Sequence, residues 1–186
     1  MKSRLYTILL AGLLLMPVIV SATDSKGEVR KLAERPQVRA ALDHLIEMED
    51  ELLADLVELT EIPAPPFGEG PRGERFAEML SEAGLTDITT DEAGNVIGRR
   101  PGRDGSRVVA LTAHLDTVFP IETDVTVHIE GDTYTAPGVG DNTSAMVVML
   151  GILRALEQAD VETTADVLFI GNTGEEGLGD LRGVKH

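Results

Sequence analysis

The sequence predicts an α/β fold in which helices cover a central β-sheet, and three observations lead to this class. Apolar residues recur every three or four positions over residues 36–60, which is typical of an amphipathic helix. Beyond Gly84 the pattern changes to short apolar runs separated by turn residues, which is typical of strands. The runs VVALTA, from Val108, and VLFI, from Val167, are apolar on both faces, as expected for central strands that helices shelter.

The other predicted elements follow in order along the chain. The stretch EIPAPPFGEGPRGE breaks the first helix with four prolines and three glycines, and a second helix is expected over residues 74–83. Strands are predicted at residues 87–90, 95–99, 107–113, 125–129 and 165–170, and a third helix at 143–157. Residues 23–35 are polar and mixed in charge, and we interpret them as a linker.

The first 22 residues have the layout of a secretory signal peptide. Lys2 and Arg4 precede an apolar run from Leu5 to Val20, and small residues precede a cleavage point after Ala22. We therefore expect an exported chain, periplasmic or extracellular, with no stable membrane span after cleavage. The alternative is an uncleaved membrane anchor, because the apolar run approaches the shortest length that can cross a bilayer.

The composition of the mature chain excludes several classes of partner. Removal of residues 1–22 takes away two of the 16 basic residues and no acidic one, which leaves 14 against 32 and a net charge of −18. Nucleic acids and anionic membrane surfaces are therefore poor partners. Because the sequence has no cysteine, no disulfide holds the fold, and a transition metal would have to be bound by histidine and carboxylates.

The first candidate site residues follow the predicted strand at Val108. His114 and Asp116 are two positions apart, so in an extended chain they share a face, at the carboxyl end where open α/β sheets bind their ligands. An imidazole can bind a metal through one nitrogen while a carboxylate holds its other N–H. A structural hydrogen bond between the two side chains is the alternative.

Two more candidate positions carry carboxylates next to glycines. Asp141 follows Gly138 and Gly140 at the mouth of a predicted helix, where it suits metal coordination, although a helix N-cap is the simpler alternative. Glu175 and Glu176 follow a strand end and a glycine-bearing turn, so one can bind a cation while the other faces the substrate. In metal-assisted hydrolysis, such an unligated glutamate takes a proton from water and passes it to the leaving amine.

Three segments, LTAHLDTVFP, APGVGDNTSA and GNTGEEGLGDLRG, resemble the successive signatures of a co-catalytic zinc peptidase family. This family includes tripeptide aminopeptidase, bacterial glutamate carboxypeptidase, acetylornithine deacetylase and carnosinase. The resemblance implies that His114 binds one zinc, Asp116 orients His114, and Asp141 bridges two zincs. It further implies that Glu175 is the general acid/base and Glu176 binds the second zinc. A cis peptide between Asp141 and Asn142 is also implied.

The resemblance implies a function as well as a site. It implies a zinc exopeptidase-type catalytic domain that hydrolyses amide bonds of peptides or N-acyl amino acids, with water activated between two zincs that cobalt or manganese can replace. It also implies one further acidic ligand, a late histidine beyond a lid or dimerisation domain, and a full-length parent that can be a homodimer. Neither extra ligand is expected in these 186 residues, so we interpret residues 36–186 as the amino-terminal part of that domain, truncated and inactive by itself.

Two other functions compete with this interpretation. The chain could be a non-catalytic metal-binding or interaction fragment. A calcium or magnesium binder is the third candidate, but the acidic spacing does not match an EF-hand loop, and His114 is a poor ligand for hard cations.

Overall fold

The structure of the protein is a computed structural model that describes residues 25–186, so the predicted signal peptide lies outside the described residues. The helices are α1 Ser25–Ala33, α2 Pro36–Glu47, α3 Glu49–Thr60, α4 Gly70–Glu82, α5 Ser144–Gln158 and α6 Arg182–Lys185. The strands are β1 Asp87–Thr90, β2 Val96–Arg100, β3 Val108–His114, β4 His128–Glu130, β5 Thr133–Thr135 and β6 Asp166–Asn172.

The main sheet has four strands in the order β1-β2-β6-β3. The strands β1, β2 and β6 pair antiparallel, whereas β3 and β6 run parallel, with His114 opposite Asn172 at the end of the register. Both parallel strands therefore end at the same edge of the sheet. The strands β4 and β5 form a separate antiparallel hairpin, which the sequence predicted only as one strand at 125–129.

Helices α3, α4 and α5 cover one face of this sheet, which confirms the predicted fold class. Phe76, Leu80, Met146, Leu150 and Phe169 are all fully buried in a single apolar cluster between the helices and the strands. Residues 139–158 would also suit a membrane span by length and apolar composition, but α5 packs its buried side into this cluster. The hydrophobic core thus lies between α5, α4 and the helix-facing side of β6.

The predicted position of one strand in the sheet is wrong. The VLFI run lies in β6, between β2 and β3, as predicted for a central strand. The VVALTA run lies in β3, which pairs with β6 alone within residues 25–186, and Val108 and Val109 are 58% and 50% exposed. The apolar run reports the side-chain types along a strand, but it does not report how many neighbouring strands pair with it.

The helical segments also differ from the prediction in two places. The single helix predicted over residues 36–60 is broken at Met48, whose backbone is not helical (φ −94°, ψ 14°) and whose side chain is buried with Ala41 and Ala155. The break lets α2 and α3 each turn an apolar side towards α5. Residues 25–33, which were interpreted as part of a linker, form the helix α1, none of whose residues is buried.

Candidate metal centre

The candidate site lies where β3 and β6 end side by side. His114 is the last residue of β3, and the next residue, Leu115, donates its backbone N–H to the carbonyl of Asn172 at 2.8 Å. The chain then leaves β3 through Asp116 and leaves β6 through the turn that carries Glu175. The sequence placed these residues at a common carboxyl edge, and the parallel register brings them together.

Asp116 is fully buried and holds the turn that carries the two glutamates. Its Oδ1 accepts a hydrogen bond from the backbone N–H of Glu175 at 3.0 Å, and its Oδ2 accepts one from Glu176 at 2.8 Å. Burial by itself raises the pKa of the Asp116 carboxyl, but the adjacent His114 ring and the two backbone amides outweigh it and hold the pKa below its ordinary value. Asp116 is therefore an ionised anchor beneath the Glu175–Glu176 turn.

His114 is oriented by the backbone of Asp116 more closely than by its carboxylate. The Nδ1 atom of His114 lies 2.9 Å from the Asp116 carbonyl oxygen and 3.7 Å from Asp116 Oδ1. The carboxylate lies farther from the ring than the carbonyl does, and its role in orienting His114 stays a prediction. An Nδ1–H donated to the carbonyl leaves Nε2 facing the site, where Asp141 Oδ1 lies 3.0 Å away and Glu175 Oε2 lies 3.9 Å away.

The charges around His114 change its protonation. Burial lowers the pKa of the ring, but the hydrogen bonds and the negative charge of Asp116, with the hydrogen bond to Asp141, outweigh burial and raise the pKa to about 9. The imidazole is therefore cationic at neutral pH in the absence of metal. A metal ion at Nε2 would have to displace this proton, so metal binding at His114 releases protons.

Asp141 reaches the site from an irregular helical turn, Val139–Thr143, in front of α5. Gly138 precedes this turn with a φ of +81°, and a Cβ at Gly138 would lie 2.7 Å from the Thr117 side chain, so the position requires glycine. The peptide between Asp141 and Asn142 is cis, as the resemblance implied. The Asp141 side chain is 78% exposed, so its carboxylate is open to solvent.

Glu175 and Glu176 complete the candidate site. Ligand atoms of His114, Glu175 and Glu176 all lie within 4.8 Å of one another. Burial raises the pKa of the Glu176 carboxyl, and repulsion from Asp141 and Glu175 raises it further. A cation at this position would relieve the repulsion that acts on the Glu176 carboxylate.

The chemical types of the candidate ligand atoms suit zinc. One imidazole and several carboxylates, without cysteine, suit zinc, copper, iron or nickel better than calcium or magnesium. The compact group contains Glu175, to which the resemblance assigned proton transfer, whereas Asp141 lies outside that group and contacts it through His114. The geometry therefore brings all five predicted residues together, and it places ligand atoms of both Glu175 and Glu176 in one compact group with His114.

The sequence missed several polar residues that support this edge. Asn95, directly before β2, accepts the N–H of Thr173 at 3.0 Å and donates to the carbonyl of Gly183 at 3.0 Å, which ties the start of the glutamate turn to α6. Glu69, in the segment that breaks the first predicted helix, and Arg182, at the start of α6, also contact the turn. Single polar residues in loops carry no periodic signal, so only the paired contacts in the fold identify them.

Comparisons with known proteins agree with this geometry. Residues 95–185 match the model of peptidase family M28. A protein of Pyrococcus abyssi named as a LysW-lysine/LysW-ornithine hydrolase is 36% identical over 129 residues, which cover 69% of this chain and 34% of that protein. The chain thus spans about a third of this curated relative.

Solved structures are similar in fold. A tripeptidase from Staphylococcus aureus superposes with a TM-score of 0.63 at 24% identity, over 74% of this chain and 39% of that one. Human carnosine dipeptidase 1 gives a TM-score of 0.64 at 14% identity, over 74% and 35% of the two chains. The resemblance drawn from the three motifs is thereby confirmed: the chain is similar to peptidase family M28 over residues 95–185 and to part of a curated hydrolase, and its α/β fold is similar to part of these solved peptidase structures.

Proposed function

We propose that this chain is part of an exported zinc-dependent hydrolase that cleaves amide bonds in peptides or N-acyl amino acids. The observation that carries the proposal is the convergence of His114, Glu175 and Glu176, with ligand atoms within 4.8 Å, at the carboxyl edge of the parallel strands. Asp141 extends this group through its 3.0 Å contact with His114 Nε2.

The proposed ligands are His114, Asp141 and Glu176. His114 would serve one zinc, Glu176 a second, and the exposed Asp141 carboxylate would be shared between them. When bound, the ions lower the pKa of a bound water towards neutrality and polarise the substrate carbonyl. Asp116 contacts neither ion in this scheme, and its buried carboxylate fixes the backbone from which Glu176 extends.

Glu175 is proposed as the proton carrier. Its side chain is 41% exposed, so its carboxylate can reach a water or a substrate on the open side of the site. A carboxylate there accepts the proton of the attacking water and delivers it to the leaving nitrogen, which converts a poor leaving group into a neutral amine. The same position close to His114 would also allow Glu175 to bind metal, so the two roles must be separated by experiment.

The names of the similar proteins support the substrate class. The Pyrococcus protein is named for hydrolysis of LysW-linked lysine and ornithine, and the two solved structures are a tripeptidase and a carnosine dipeptidase. These names refer to amino acids attached to LysW, to tripeptides and to a dipeptide. We therefore propose substrates of this size for the present site.

The ligand count bears on the 186-residue chain itself. The proposed assignment supplies two protein ligands for each zinc, His114 with Asp141 and Asp141 with Glu176, whereas a catalytic zinc typically has about three. We propose that this chain alone binds zinc weakly and hydrolyses little. The same count favours the alternative that the chain acts as a non-catalytic metal-binding fragment.

Variants of the two glutamates test the proposed roles in the full-length parent. Glu175→Gln should lower turnover by several orders of magnitude while zinc content stays near wild type, because proton transfer is lost and the ligands remain. Glu176→Gln should instead lower the zinc content. Glu130→Gln is the control: it removes the same charge from the exposed strand β4, which has no proposed role in the site. It should change neither turnover nor zinc content.

Turnover under saturating substrate and elemental analysis of the purified variants would be measured together. Loss of zinc in Glu175→Gln with retention in Glu176→Gln would reverse the two roles. The export proposal has a separate test, because N-terminal sequencing of the mature protein should start at Thr23. A retained Met1 with membrane attachment would contradict export.

A further inference from the structure

The proline-rich loop between α3 and α4, residues 61–69, contacts both halves of the candidate metal centre. The Ala64 carbonyl accepts the backbone N–H of Thr117 at 2.8 Å, directly after Asp116. At the other end of the loop, Glu69 contacts the turn that carries Glu175. This loop therefore bridges the chain segments that leave β3 and β6, although the sequence marked it only as a helix break.

Glu69 is a buried carboxylate with two specific partners. Its side chain is 3% exposed, Oε1 accepts the backbone N–H of Gly174 at 3.1 Å, and Oε2 accepts a hydrogen bond from Arg182 Nη2 at 2.8 Å. The guanidinium of Arg182 lies 4.6 Å from the centre of the Phe67 ring in the same loop. A buried carboxylate is tolerated only when such partners replace its hydration.

The segment held by Glu69 has little room to move. Gly174 has a φ of +62°, and a Cβ there would lie 2.4 Å from Arg182 Nη1. Gly179 packs tightly against the same segment, because a Cβ added at Gly179 would lie 2.4 Å from the Gly174 Cα atom. Directly after Gly174, the N–H groups of Glu175 and Glu176 point to the Asp116 carboxylate.

We propose that Glu69 is a positioning residue for the metal centre. It holds the Gly174 peptide on one side while Asp116 holds the next two peptides on the other, so the Glu175 and Glu176 side chains start from a fixed backbone. Arg182 closes the arrangement, because it neutralises Glu69 and packs over Gly174. The part of this inference that concerns metal affinity rests on the proposed function, whereas the part that concerns the backbone of the turn does not.

The substitution Glu69→Gln tests this role with little change of shape. Gly174 and Arg182 donate to different oxygens of Glu69, and a glutamine places an NH₂ group at one of these two positions, so one of the two hydrogen bonds is lost. Losing a hydrogen bond to a charged group should make amide exchange at Glu175 and Glu176 at least about tenfold faster. Exchange in the β2–β6 ladder should stay at the wild-type rate, because no contact of Glu69 reaches it.

Glu61→Gln is the matched control. Glu61 begins the same loop and accepts the backbone N–H of Val127 at 3.0 Å on an exposed surface, away from Gly174. Amide exchange would be followed residue by residue by NMR on the 186-residue chain with the two variants. Arg182→Gln and the double variant with Glu69→Gln complete a double-mutant cycle. In the double variant, the second substitution should increase the exchange rates little further, because both substitutions remove the same contact.

Zinc titration of the same proteins by calorimetry gives the second measurement. Mutation of a residue that supports a metal ligand typically weakens metal affinity about 10- to 100-fold. We expect Glu69→Gln to weaken zinc binding within this range and Glu61→Gln to leave it unchanged. Unchanged exchange at Glu175 and Glu176 in Glu69→Gln would overturn the positioning role. Faster exchange with unchanged zinc affinity would overturn its link to the metal. Absence of zinc binding in the wild-type protein would contradict the proposed function. The amide-exchange measurement would still decide whether Glu69 positions the turn.

Discussion

Replacement of Asp116 by asparagine should destabilise the fold and weaken the metal centre together. Asp116 is fully buried, and each of its oxygens accepts one backbone N–H, from Glu175 at 3.0 Å and from Glu176 at 2.8 Å. An asparagine keeps the shape but has one oxygen, so one of these N–H groups must face an NH₂ group. One charge-assisted hydrogen bond is lost, and one part-buried donor is left without an acceptor.

The magnitude follows from these two losses. A hydrogen bond to a charged group contributes about 1.5–3 kcal/mol, and an unsatisfied buried donor costs about 1–3 kcal/mol. Because the losses share one site and the turn can relax, we expect Asp116→Asn to lower the free energy of unfolding by about 2–4 kcal/mol. Zinc affinity should fall about 10- to 100-fold, since the backbone of Glu176 is no longer fixed.

Urea unfolding at neutral pH, followed by circular dichroism, measures the stability change, and calorimetric zinc titration measures the affinity. Asp132→Asn, in the exposed turn between β4 and β5, makes the same chemical change without these contacts and serves as the control. An unfolding midpoint of Asp116→Asn equal to that of the control would refute the argument that this carboxylate anchors the glutamate turn.

Two further predictions concern the sheet. The hydrogen bond from the Gly102 N–H, and after it the Arg99 side chain, hold the pKa of Asp166 below its ordinary value. The ionised Asp166 therefore stabilises the fold above the ordinary pKa of 3.8, and this stabilisation is lost as the pH falls through the lowered pKa. Asp166→Asn should therefore destabilise the protein at neutral pH, with a gap to wild type that narrows in acid; a gap constant with pH in thermal unfolding would contradict this. A methyl group on Gly171 would lie 2.8 Å from Leu115 Cδ2, so Gly171→Ala should cost about 1–3 kcal/mol in urea unfolding, and an unchanged midpoint would show that the core has room there.

Strand and helix types were predictable because periodicity reports burial directly. The run at β6 and the helix α5 follow from apolar patterns that tertiary contacts preserve, and β3 was found as a strand although its apolar run is largely exposed. The break at Met48 was not predictable, because no glycine or proline marks it and its cause is the packing of α2 and α3 against α5. The edge position of β3 likewise depends on strand order, which no local pattern encodes.

The candidate site shows the same division. His114, Asp141, Glu175 and Glu176 were identified because residue types suited to metals recur next to strand ends and glycines. The contacts that support them were not, since Glu69 and Gly174 are 105 positions apart in the chain and meet only in the fold. The carboxylate of Asp116 was expected to orient His114, and only the structure places the two glutamate N–H groups on its oxygens.

Zinc titration of residues 23–186 by calorimetry, with a parallel assay of di- and tripeptide hydrolysis, tests the central claim most directly. The account predicts weak zinc binding that His114→Ala and Glu176→Gln abolish and Glu175→Gln preserves, with little hydrolysis by any of these proteins. Glu130→Gln should bind as the wild type does. Tight stoichiometric zinc binding with measurable turnover, or zinc binding that persists in His114→Ala, would contradict the assignment of this edge as an incompletely liganded zinc centre.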